Sequence, residues 1–472
     1  MKKKLLRLAS CIITLALILS CLSSMVQVTK RKQSENKYAD FFQQEEDFDV
    51  LFFGSSVVIN GIFPMQLWND HGIVSYNFGG HGNRLSTSYW VMKNALDYTN
   101  PKLVVIDCMG LKVDDRAHKV YEFLHLSLDA FPFTKTKVQA VWDLLRKDEN
   151  NEAKSLRSEM IFPFSTYHSR WTELTEDDFK PEAKNNKEKG AESRISVATP
   201  IEGTTAPADA VMTESSVSME YLERFITDCQ AQGIEVLLVY LPFPPTTDCV
   251  IEAQTVPQIA EKYGVEYINF LQMGLVDFQI DCYDADSHLN PSGAQKVTEY
   301  LGNFITENYN IPDHRQDSAY AGWHTDYDEY LVHKQSLFTT SIWDAECSLS
   351  VMRDRSFDYI IQTDGGILSD PRMVTLLENI GVNIDQIPEG ESYILIQKET
   401  GNIEYHTRAS LENAPQGTMF GSLQVVNDGA NTYLVLNGTA LRTKENTQWE
   451  TSNFCAYMLT EDGSCIFNEF AK

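Results

Sequence analysis

The sequence is poor in positive charge. Its 39 Lys and Arg residues stand against 66 Asp and Glu residues, which gives a formal net charge of -27 at pH 7. Binding to nucleic acid depends on clustered Lys and Arg that neutralise phosphates, so this balance argues against a nucleic-acid partner. It also argues against binding an anionic polymer through overall charge, although it leaves room for a local basic site.

The cysteines lack the spacing of a metal site. There are nine in the chain, and none of them forms the C-x-x-C pair that structural zinc sites use. The sequence therefore predicts no metal centre, and it holds no motif that calls for an organic cofactor. Most of the cysteines are expected to be buried as small hydrophobic residues.

The N-terminal segment, 1–33, has the composition of a membrane anchor. Basic residues between positions 2 and 7 precede an apolar stretch from Leu8 to Val28, whose length of about twenty residues is enough to span a bilayer. No A-x-A cleavage site is present, and 18–21 (ILSC) matches a lipoprotein cleavage site poorly. We therefore expect an uncleaved, single-pass signal-anchor in the cell membrane. A cleaved signal peptide and a lipoprotein are the alternatives.

Beyond a polar stalk at 34–48, short apolar runs alternate with helical patterns. The runs are apolar throughout, as is typical of parallel strands covered on both faces. Alternation of strand and helix over 49–312 predicts an α/β fold with a doubly wound parallel sheet. The predicted strands are Asp49–Phe53, Ile73–Asn77, Leu103–Cys108, Ile234–Leu241 and Val265–Phe270.

An insertion at about 111–216 interrupts this alternation. It begins with a helical pattern over Val120–Arg146 and ends in a stretch without periodicity, Pro181–Ser215, which predicts a mobile loop. A polar connector at 313–336 leads to strand-like runs separated by D-G and N-G turn signals. These predict a β-rich C-terminal domain over 337–472 with a helix near Met373–Asn379, and nothing in that domain looks catalytic.

Two distant stretches carry candidate catalytic groups. The first predicted strand ends in Gly54-Ser55-Ser56, and 284–293 reads DADSHLNPSG, with His288 just before the predicted helix N-cap Asn290. A serine hydroxyl is a poor nucleophile until a base removes its proton, and the base needs a third group to orient it. We therefore expect Ser56 to be the nucleophile and His288 the base. Taken singly, each stretch is equally typical of a structural turn or a capping histidine.

These motifs and their order resemble the SGNH (GDSL-type) hydrolase superfamily over roughly Asp49–Asn308. That superfamily places its serine after strand one in a G-D-S-like block and its histidine near the C-terminal end. The stretch 77–82 (NFGGHG) resembles the second block, whose glycine offers a backbone N–H to the oxyanion. The resemblance implies a flavodoxin-like parallel sheet and an oxyanion held by the N–H groups of Ser56 and Gly82, with Gly79 as the second candidate.

The histidine block departs from the usual D-x-x-H pattern, because position 285 is Ala. Asp286 stands in the D-x-H arrangement of the acyltransferase-like, membrane-anchored branch, as in alginate O-acetylation proteins. The resemblance therefore implies that Asp286 orients His288. Asp284 is the alternative partner.

The block that carries the oxyanion asparagine is missing. Leu111 and Lys112 follow the third predicted strand where G-x-N-D would stand. Loss of one oxyanion donor costs about a hundredfold or more in rate. Asn83, next to Gly82, is a candidate substitute, whereas Asp107 at the end of the third strand is expected only to cap a loop.

The stretch 167–171 (YHSRW) resembles an FHTRW-like segment of membrane-anchored members, such as the D-alanine transfer protein of teichoic acids. This resemblance implies that Arg170, together with His168, could hold a phosphate or carboxylate on the acceptor. The alternative is an aromatic structural turn within the insertion.

The combined expectation is an extracytoplasmic, membrane-anchored serine esterase or O-acyltransferase that acts on acyl esters of cell-envelope glycans. Water as acceptor would make it a hydrolase, and a glycan hydroxyl would make it a transferase. The rival hypothesis is a catalytically weak SGNH-like factor that works with partner proteins in envelope polymer modification or export, which the missing block favours. A third is a secreted β-rich adhesin whose α/β part is only a scaffold.

Overall fold

The chain is a mixed α/β protein with one parallel sheet and two antiparallel sheets. This confirms the predicted α/β class and the β-rich C-terminal part. The computed structural model describes residues 2–30, 41–44, 46–146, 152–179, 187–198, 202–285, 288–427, 431–445, 453–460 and 465–470.

The parallel sheet has five strands in the order β2-β1-β3-β4-β5. Every residue of its first three strands is buried, as their uninterrupted apolar character predicts. All five strands coincide with predicted ones to within about two residues, the usual uncertainty of strand ends. They are β1 (Val50–Gly54), β2 (Ser75–Gly79), β3 (Leu103–Asp107), β4 (Glu235–Tyr240) and β5 (Glu266–Asn269).

Helices cover the parallel sheet. One group packs α4 against α9, and another packs α12 against α2 and α3. Capping residues explain several starts: Ser216, Thr246 and Asn290 each accept a backbone N–H from the first turn of their helix. The helices are α2 (Ser56–Gly61), α3 (Pro64–His71), α4 (Leu85–Ala95), α9 (Val217–Gln230), α10 (Thr247–Tyr263), α11 (Phe270–Met273) and α12 (Pro291–Asn308).

The insertion is more ordered than its sequence predicts. The single helix expected over Val120–Arg146 is two helices, because Pro132 has no N–H with which to continue the first and Thr134 caps the second. The insertion helices are α5 (Tyr121–Leu128), α6 (Lys135–Leu144), α7 (Glu152–Ile161) and α8 (Phe164–Tyr167).

Part of the predicted mobile loop is packed along the edge of the parallel sheet. The N–H of Asn77 donates to the carbonyl of Lys189 at 3.0 Å, and the Asn60 amide donates to the carbonyl of Glu192 at 2.8 Å. Ile195 is buried. These bonds correct the loop prediction for 187–198: residues 187–190 form a turn, and residues 191–198 are irregular but hydrogen-bonded to the neighbouring elements, a state that leaves no helical or alternating pattern in the sequence. Residues 180–186 and 199–201 lie outside the described part.

The N-terminal helix α1 (Lys2–Lys30) contains a stretch, Lys3–Val26, that is long and apolar enough to cross a membrane and is not buried elsewhere in the protein. The described part of the predicted stalk does not stand free. Phe41 and Phe48 are buried and pack on Tyr76 of β2. The stalk prediction is therefore wrong for these two residues. It followed the polar composition of 34–48 and gave no weight to the two aromatic side chains.

The region predicted as a polar connector is mostly a helix, α13 (Gly322–Thr340), with Trp323 and Tyr330 buried against the α/β core. The C-terminal sheets have the strand orders β14-β13-β6-β7-β8 and β12-β11-β10-β9. Their elements are α14 (Ala345–Met352), β6 (Asp358–Thr363), α15 (Pro371–Asn379), β7 (Ser392–Ile396), β8 (Ile403–Thr407), α16 (Arg408–Asn413), β9 (Gln416–Thr418), β10 (Gly421–Asn427), β11 (Asn431–Leu436), β12 (Thr439–Glu445), β13 (Phe454–Leu459) and β14 (Cys465–Phe470).

Asp107 ends β3 and is buried beside β1. Its Oδ1 accepts the N–H of Leu241 at 3.1 Å, which agrees with the capping role expected from the sequence. A Cβ on Gly54 would lie 3.4 Å from its Oδ2, so the carboxyl supports the turn that leads to Ser56. Burial raises the pKa of Asp107 from 3.8 to about 7.

Asp107 should therefore make stability depend on pH. Because the folded protein holds this proton more tightly than the unfolded chain, the contribution of Asp107 is present at low pH and is lost as pH rises through about 7. The pKa difference corresponds to on the order of 4 kcal/mol. We expect D107N, which keeps an acceptor for Leu241, to lose less thermal stability than wild type between about pH 5 and about pH 8.

The measurement is thermal unfolding of full-length protein at both pH values. D97N, a change at an exposed aspartate, serves as the control and should follow the wild-type curve. An identical pH dependence in D107N and wild type would contradict the assignment.

Candidate active site

Ser56 lies where β1, the second strand in the order of the parallel sheet, turns into a helix. Strand β1 ends at Gly54, and α2 begins directly at Ser56. Gly54 is required by close packing, since a Cβ there would come within 2.4 Å of the Val58 side chain and 2.9 Å of the Asp107 Cβ. The tight turn leaves the Ser56 side chain partly exposed at the carboxyl edge of the sheet.

His288 is held by the short loop that enters α12. The N–H of Tyr283 donates to the carbonyl of His288 at 2.8 Å, and Cys282 forms a bridge with Leu289. The Asn290 side chain caps α12 and also donates to the carbonyl of Ile280 at 2.7 Å. The backbone on both sides of His288 is therefore fixed by hydrogen bonds.

The structure brings Ser56, His288 and Asp284 into one hydrogen-bonded chain. The Oγ of Ser56 lies 2.7 Å from the Nε2 of His288, and the Nδ1 of His288 lies 2.5 Å from the Oδ2 of Asp284. The backbone N–H of His288 donates to the other oxygen of Asp284 at 3.2 Å. This is the order of groups that activates a serine: a nucleophile, a base, and a carboxylate that orients the base.

The carboxylate that pairs with His288 is Asp284, the alternative partner predicted from the sequence. Asp286, the partner that the resemblance implies, lies outside the described residues. Asp284 binds both the ring and the backbone N–H of His288. The sequence offers both carboxylates, and these two hydrogen bonds identify Asp284 as a partner of the histidine.

Two backbone N–H groups, those of Ser56 and Gly82, are the candidate oxyanion donors. Ser56 is the first residue of α2, where backbone N–H groups have no acceptor within the helix. Gly82 has a φ of +61°, and a Cβ there would lie 2.4 Å from the Phe123 ring, so only glycine fits. The N–H of Gly79, the second candidate, is already donated to the Asn77 side chain at 2.9 Å.

The side-chain amide of Asn83 is a candidate third hydrogen-bond donor for the oxyanion. Its Oδ1 accepts the hydroxyl of Ser127 from α5 at 2.6 Å, which fixes the orientation of the amide. Its Nδ2 is buried and has no acceptor within the described part of the chain. A Cβ on Gly80 would lie 2.1 Å from this Nδ2, and the N–H of Gly80 donates to the carbonyl of Gly54 at 3.1 Å. The amide therefore lies close to the end of β1, and leaving it unpaired costs free energy.

A thioether lies between β3 and positions 111–112, where the asparagine block would stand. Met109 follows β3, and its sulfur lies 3.8 Å from the hydroxyl of Ser55. It offers no N–H of its side chain to a substrate. Any third side-chain donor in this site has to come from elsewhere, and Asn83 is the candidate that the structure supports.

A charged rim, formed by His81, Glu192, Arg194 and Tyr283, borders the catalytic groups. Glu192 lies 3.6 Å from the His81 ring and 3.2 Å from the Arg194 guanidinium. Arg194 stands over the Tyr283 ring at 5.7 Å. Glu192 and Arg194 are not predicted from the sequence, because they belong to the segment 187–198, which carries no periodic signal.

Arg170 and His168 lie near the C-terminal end of α1. Arg170 donates to the carbonyl of Thr29 in the last turn of α1 and pairs with Asp178 at 3.1 Å. The His168 ring packs on the Phe164 ring at 5.9 Å. The guanidinium is therefore already engaged by protein groups, which favours the structural turn over the predicted acceptor site.

Ser56, His288 and Asp284 lie outside the cavity found between the α/β part and the C-terminal part of the chain. That cavity, of about 520 Å³, is enclosed by α3, α12, α13 and residues 353–356, and neither Ser56 nor His288 lines it. The side chains of His288 and Asp284 retain 19% and 31% of their exposure. Ser56 and its partners are thus reached from the open edge of the sheet.

Comparison of the chain with known protein families and with curated proteins found no match. The assignment of a function therefore depends on the geometry of Ser56, His288 and Asp284. Two supporting features come from other parts of the chain: the glycine loop at 79–82 and the Asn83 amide held by Ser127.

The Asp284–His288 contact predicts a large and selective effect of removing one charge. An asparagine at 284 presents the wrong partner to Nδ1 and favours the wrong imidazole tautomer, which lowers serine reactivity by roughly a hundredfold to ten-thousandfold in comparable sites. We expect D284N to slow labelling by a fluorophosphonate probe to that extent.

The matched control is D286N, which removes the neighbouring carboxylate. We expect its labelling rate to stay near that of wild type. Slow labelling of D286N together with normal labelling of D284N would reverse the assignment.

Proposed function

We propose that this protein is a serine esterase or O-acyltransferase of the SGNH type. The observation that carries the proposal is the hydrogen-bonded chain from Ser56 through His288 to Asp284, at 2.7 Å and 2.5 Å. Distances in this range allow a proton to pass from the hydroxyl to the imidazole. The partly exposed position of these groups suits attack on an ester carried by a large substrate.

The reaction would proceed in two halves. Ser56 Oγ attacks the carbonyl carbon of an acyl ester, and its proton passes to His288 Nε2 while Asp284 stabilises the imidazolium. The resulting oxyanion accepts hydrogen bonds from the N–H groups of Ser56 and Gly82 and from Asn83 Nδ2. Collapse of this intermediate breaks the ester bond, and the alcohol leaves with the proton of His288.

In the second half, His288 takes a proton from the acceptor hydroxyl as that hydroxyl attacks the acyl-serine. The proton returns to Ser56 Oγ when the acyl group leaves. Water as acceptor releases an acid, and a glycan hydroxyl yields a new ester. The same groups serve both outcomes, so the acceptor that enters from the rim decides between hydrolysis and transfer.

Two features of the fold support the SGNH proposal. The strand order β2-β1-β3-β4-β5 is that of flavodoxin-like doubly wound sheets. In such sheets, ligands bind at the carboxyl ends of the strands, where the strand order reverses. Ser56 follows β1, which pairs with both β2 and β3 and so lies at this point.

The membrane and the substrate class complete the proposal. The apolar stretch of α1 fits a single-pass anchor, and the basic residues before it favour an N-terminus inside the cell. The catalytic domain would then face the cell envelope, where its substrates would be acyl esters of glycans. The rival role, a catalytically weak assembly factor, draws its support from the missing asparagine block.

Serine labelling decides between these roles. We expect a fluorophosphonate probe to label wild-type protein and to leave S56A unlabelled, because no other group in this position is activated by His288. S55A, whose hydroxyl faces the Met109 sulfur, is the matched control and should label like wild type. Folded wild-type protein without Ser56-dependent labelling would refute the enzyme and leave the assembly factor.

A second measurement tests the oxyanion donor. We expect N83A to lower kcat for p-nitrophenyl acetate by about a hundredfold or more with little change in KM, because the donor acts on charge that develops in the transition state. S127A should give a smaller loss, since it only frees the amide to rotate. N94A, a change at another buried asparagine, controls for lost stability, and an unchanged kcat in N83A would exclude the role.

A further inference from the structure

The segment 164–179, here called the junction segment, connects the N-terminal helix to the catalytic domain. Arg170 donates to the Thr29 carbonyl in the last turn of α1 and pairs with the fully buried Asp178. Asp178 also accepts the backbone N–H of Thr175 at 2.8 Å. The last turn of α1 is thus held by a fixed hydrogen-bonded cluster and not by a free linker.

Two large aromatic side chains flank this cluster and face solvent. Trp171 follows Arg170 and is 66% exposed, and Phe179 follows Asp178 and is 60% exposed. Exposure of an aromatic side chain forgoes about 25 cal/mol for each Å² of apolar surface. Two such residues beside a rigid cluster point to a surface that covers them.

The position of the cluster along α1 identifies that surface. The apolar span ends at Val26, and Thr29, which the junction segment holds, comes one helical turn later. A residue one turn beyond the hydrocarbon lies at the level of the lipid headgroups. Tryptophan and other amphipathic aromatics are enriched at that level in membrane proteins.

We propose that Trp171 and Phe179 insert into the lipid interface of the membrane that α1 crosses. The attraction is apolar and not electrostatic, because the segment also exposes Glu173 and Glu176. Insertion should therefore not require anionic lipid and should withstand salt. The inference depends on the membrane anchor of the proposed function but not on its catalytic chemistry.

Insertion of these two side chains would also fix the distance between the candidate active site and the membrane. Within the junction segment, the Tyr167 hydroxyl donates to Asp129 at 3.0 Å, and Asp129 pairs with His125 at 2.7 Å. His125 belongs to α5, the helix whose Ser127 holds Asn83. A path of contacts therefore runs from the lipid interface to the oxyanion loop, residues 79–83. A substrate tethered to the membrane would then meet Ser56 at a constant distance from the bilayer.

Tryptophan quenching in bilayers tests the insertion. Full-length protein is placed in phosphatidylcholine vesicles whose lipids are brominated near the top of the acyl chains. We expect brominated lipid to quench part of the emission of wild type and W171F to lose most of that quenched part. W343F is the matched control, because Trp343 is 58% exposed in the C-terminal domain, and it should keep the quenching of wild type.

A rescue variant makes the result specific. In the W171F background, F179W should restore quenching without phosphatidylglycerol, and added salt should leave the quenching unchanged. Equal quenching of wild type and W171F would overturn the insertion. Extraction of the chain by alkaline carbonate would overturn the anchor and the inference with it. Fluorophosphonate labelling, measured on the same samples, reports on Ser56 separately, so a failed inference and a failed enzyme are distinguishable.

Discussion

The hydrogen bond between Ser56 and His288 depends on how tightly β1 turns into α2. Gly54 allows the turn because no Cβ stands between Val58 and Asp107, and Asp107 in turn binds the backbone N–H of Leu241 after β4. The position of His288, the other partner in this hydrogen bond, depends on Asn290, which fixes the loop before α12. Two rigid helix starts therefore place two side chains 2.7 Å apart although 232 residues separate them in the chain. Neither helix could shift without breaking the contact.

The insertion supplies the groups that the α/β framework lacks. Strand β3 ends near Met109, a residue that offers no side-chain donor. Helix α5 compensates by holding the Asn83 amide through Ser127 and by packing Phe123 on Gly82. The segment 187–198 adds Glu192 and Arg194 to the rim. The insertion thus contributes to the candidate active site, and its segment 187–198 packs against β2 and α2.

The sequence predicts most of the framework, since buried parallel strands are continuous apolar runs and Asn290-Pro291 marks a helix start. It also predicts Ser56 and His288, which stand beside those elements. It fails where geometry depends on backbone paths without a periodic signal. The D-x-H pattern favours Asp286 over Asp284, and only the two hydrogen bonds between Asp284 and His288 reveal Asp284 as a partner. The segment 187–198 resembles a loop because its hydrogen bonds go to the sheet edge and to side chains, and the sequence records neither.

Helix α5 connects the candidate active site with the end of the apolar helix α1. Phe123 in the first turn of this helix lies beside Gly82, Ser127 in its last turn holds Asn83, and the residue that follows the helix, Asp129, accepts the hydroxyl of Tyr167 from the junction segment. Ser56 is held by the turn after β1 and His288 by the loop before α12, whereas Asn83 is held by α5, which is itself connected to the C-terminal end of α1 through the junction segment. A displacement of the junction segment would therefore act on the oxyanion donor while leaving the nucleophile and the base in contact. In this arrangement the membrane would influence transition-state stabilisation more than nucleophile activation, and the two could be separated by comparing kcat with serine labelling in bilayers and in detergent.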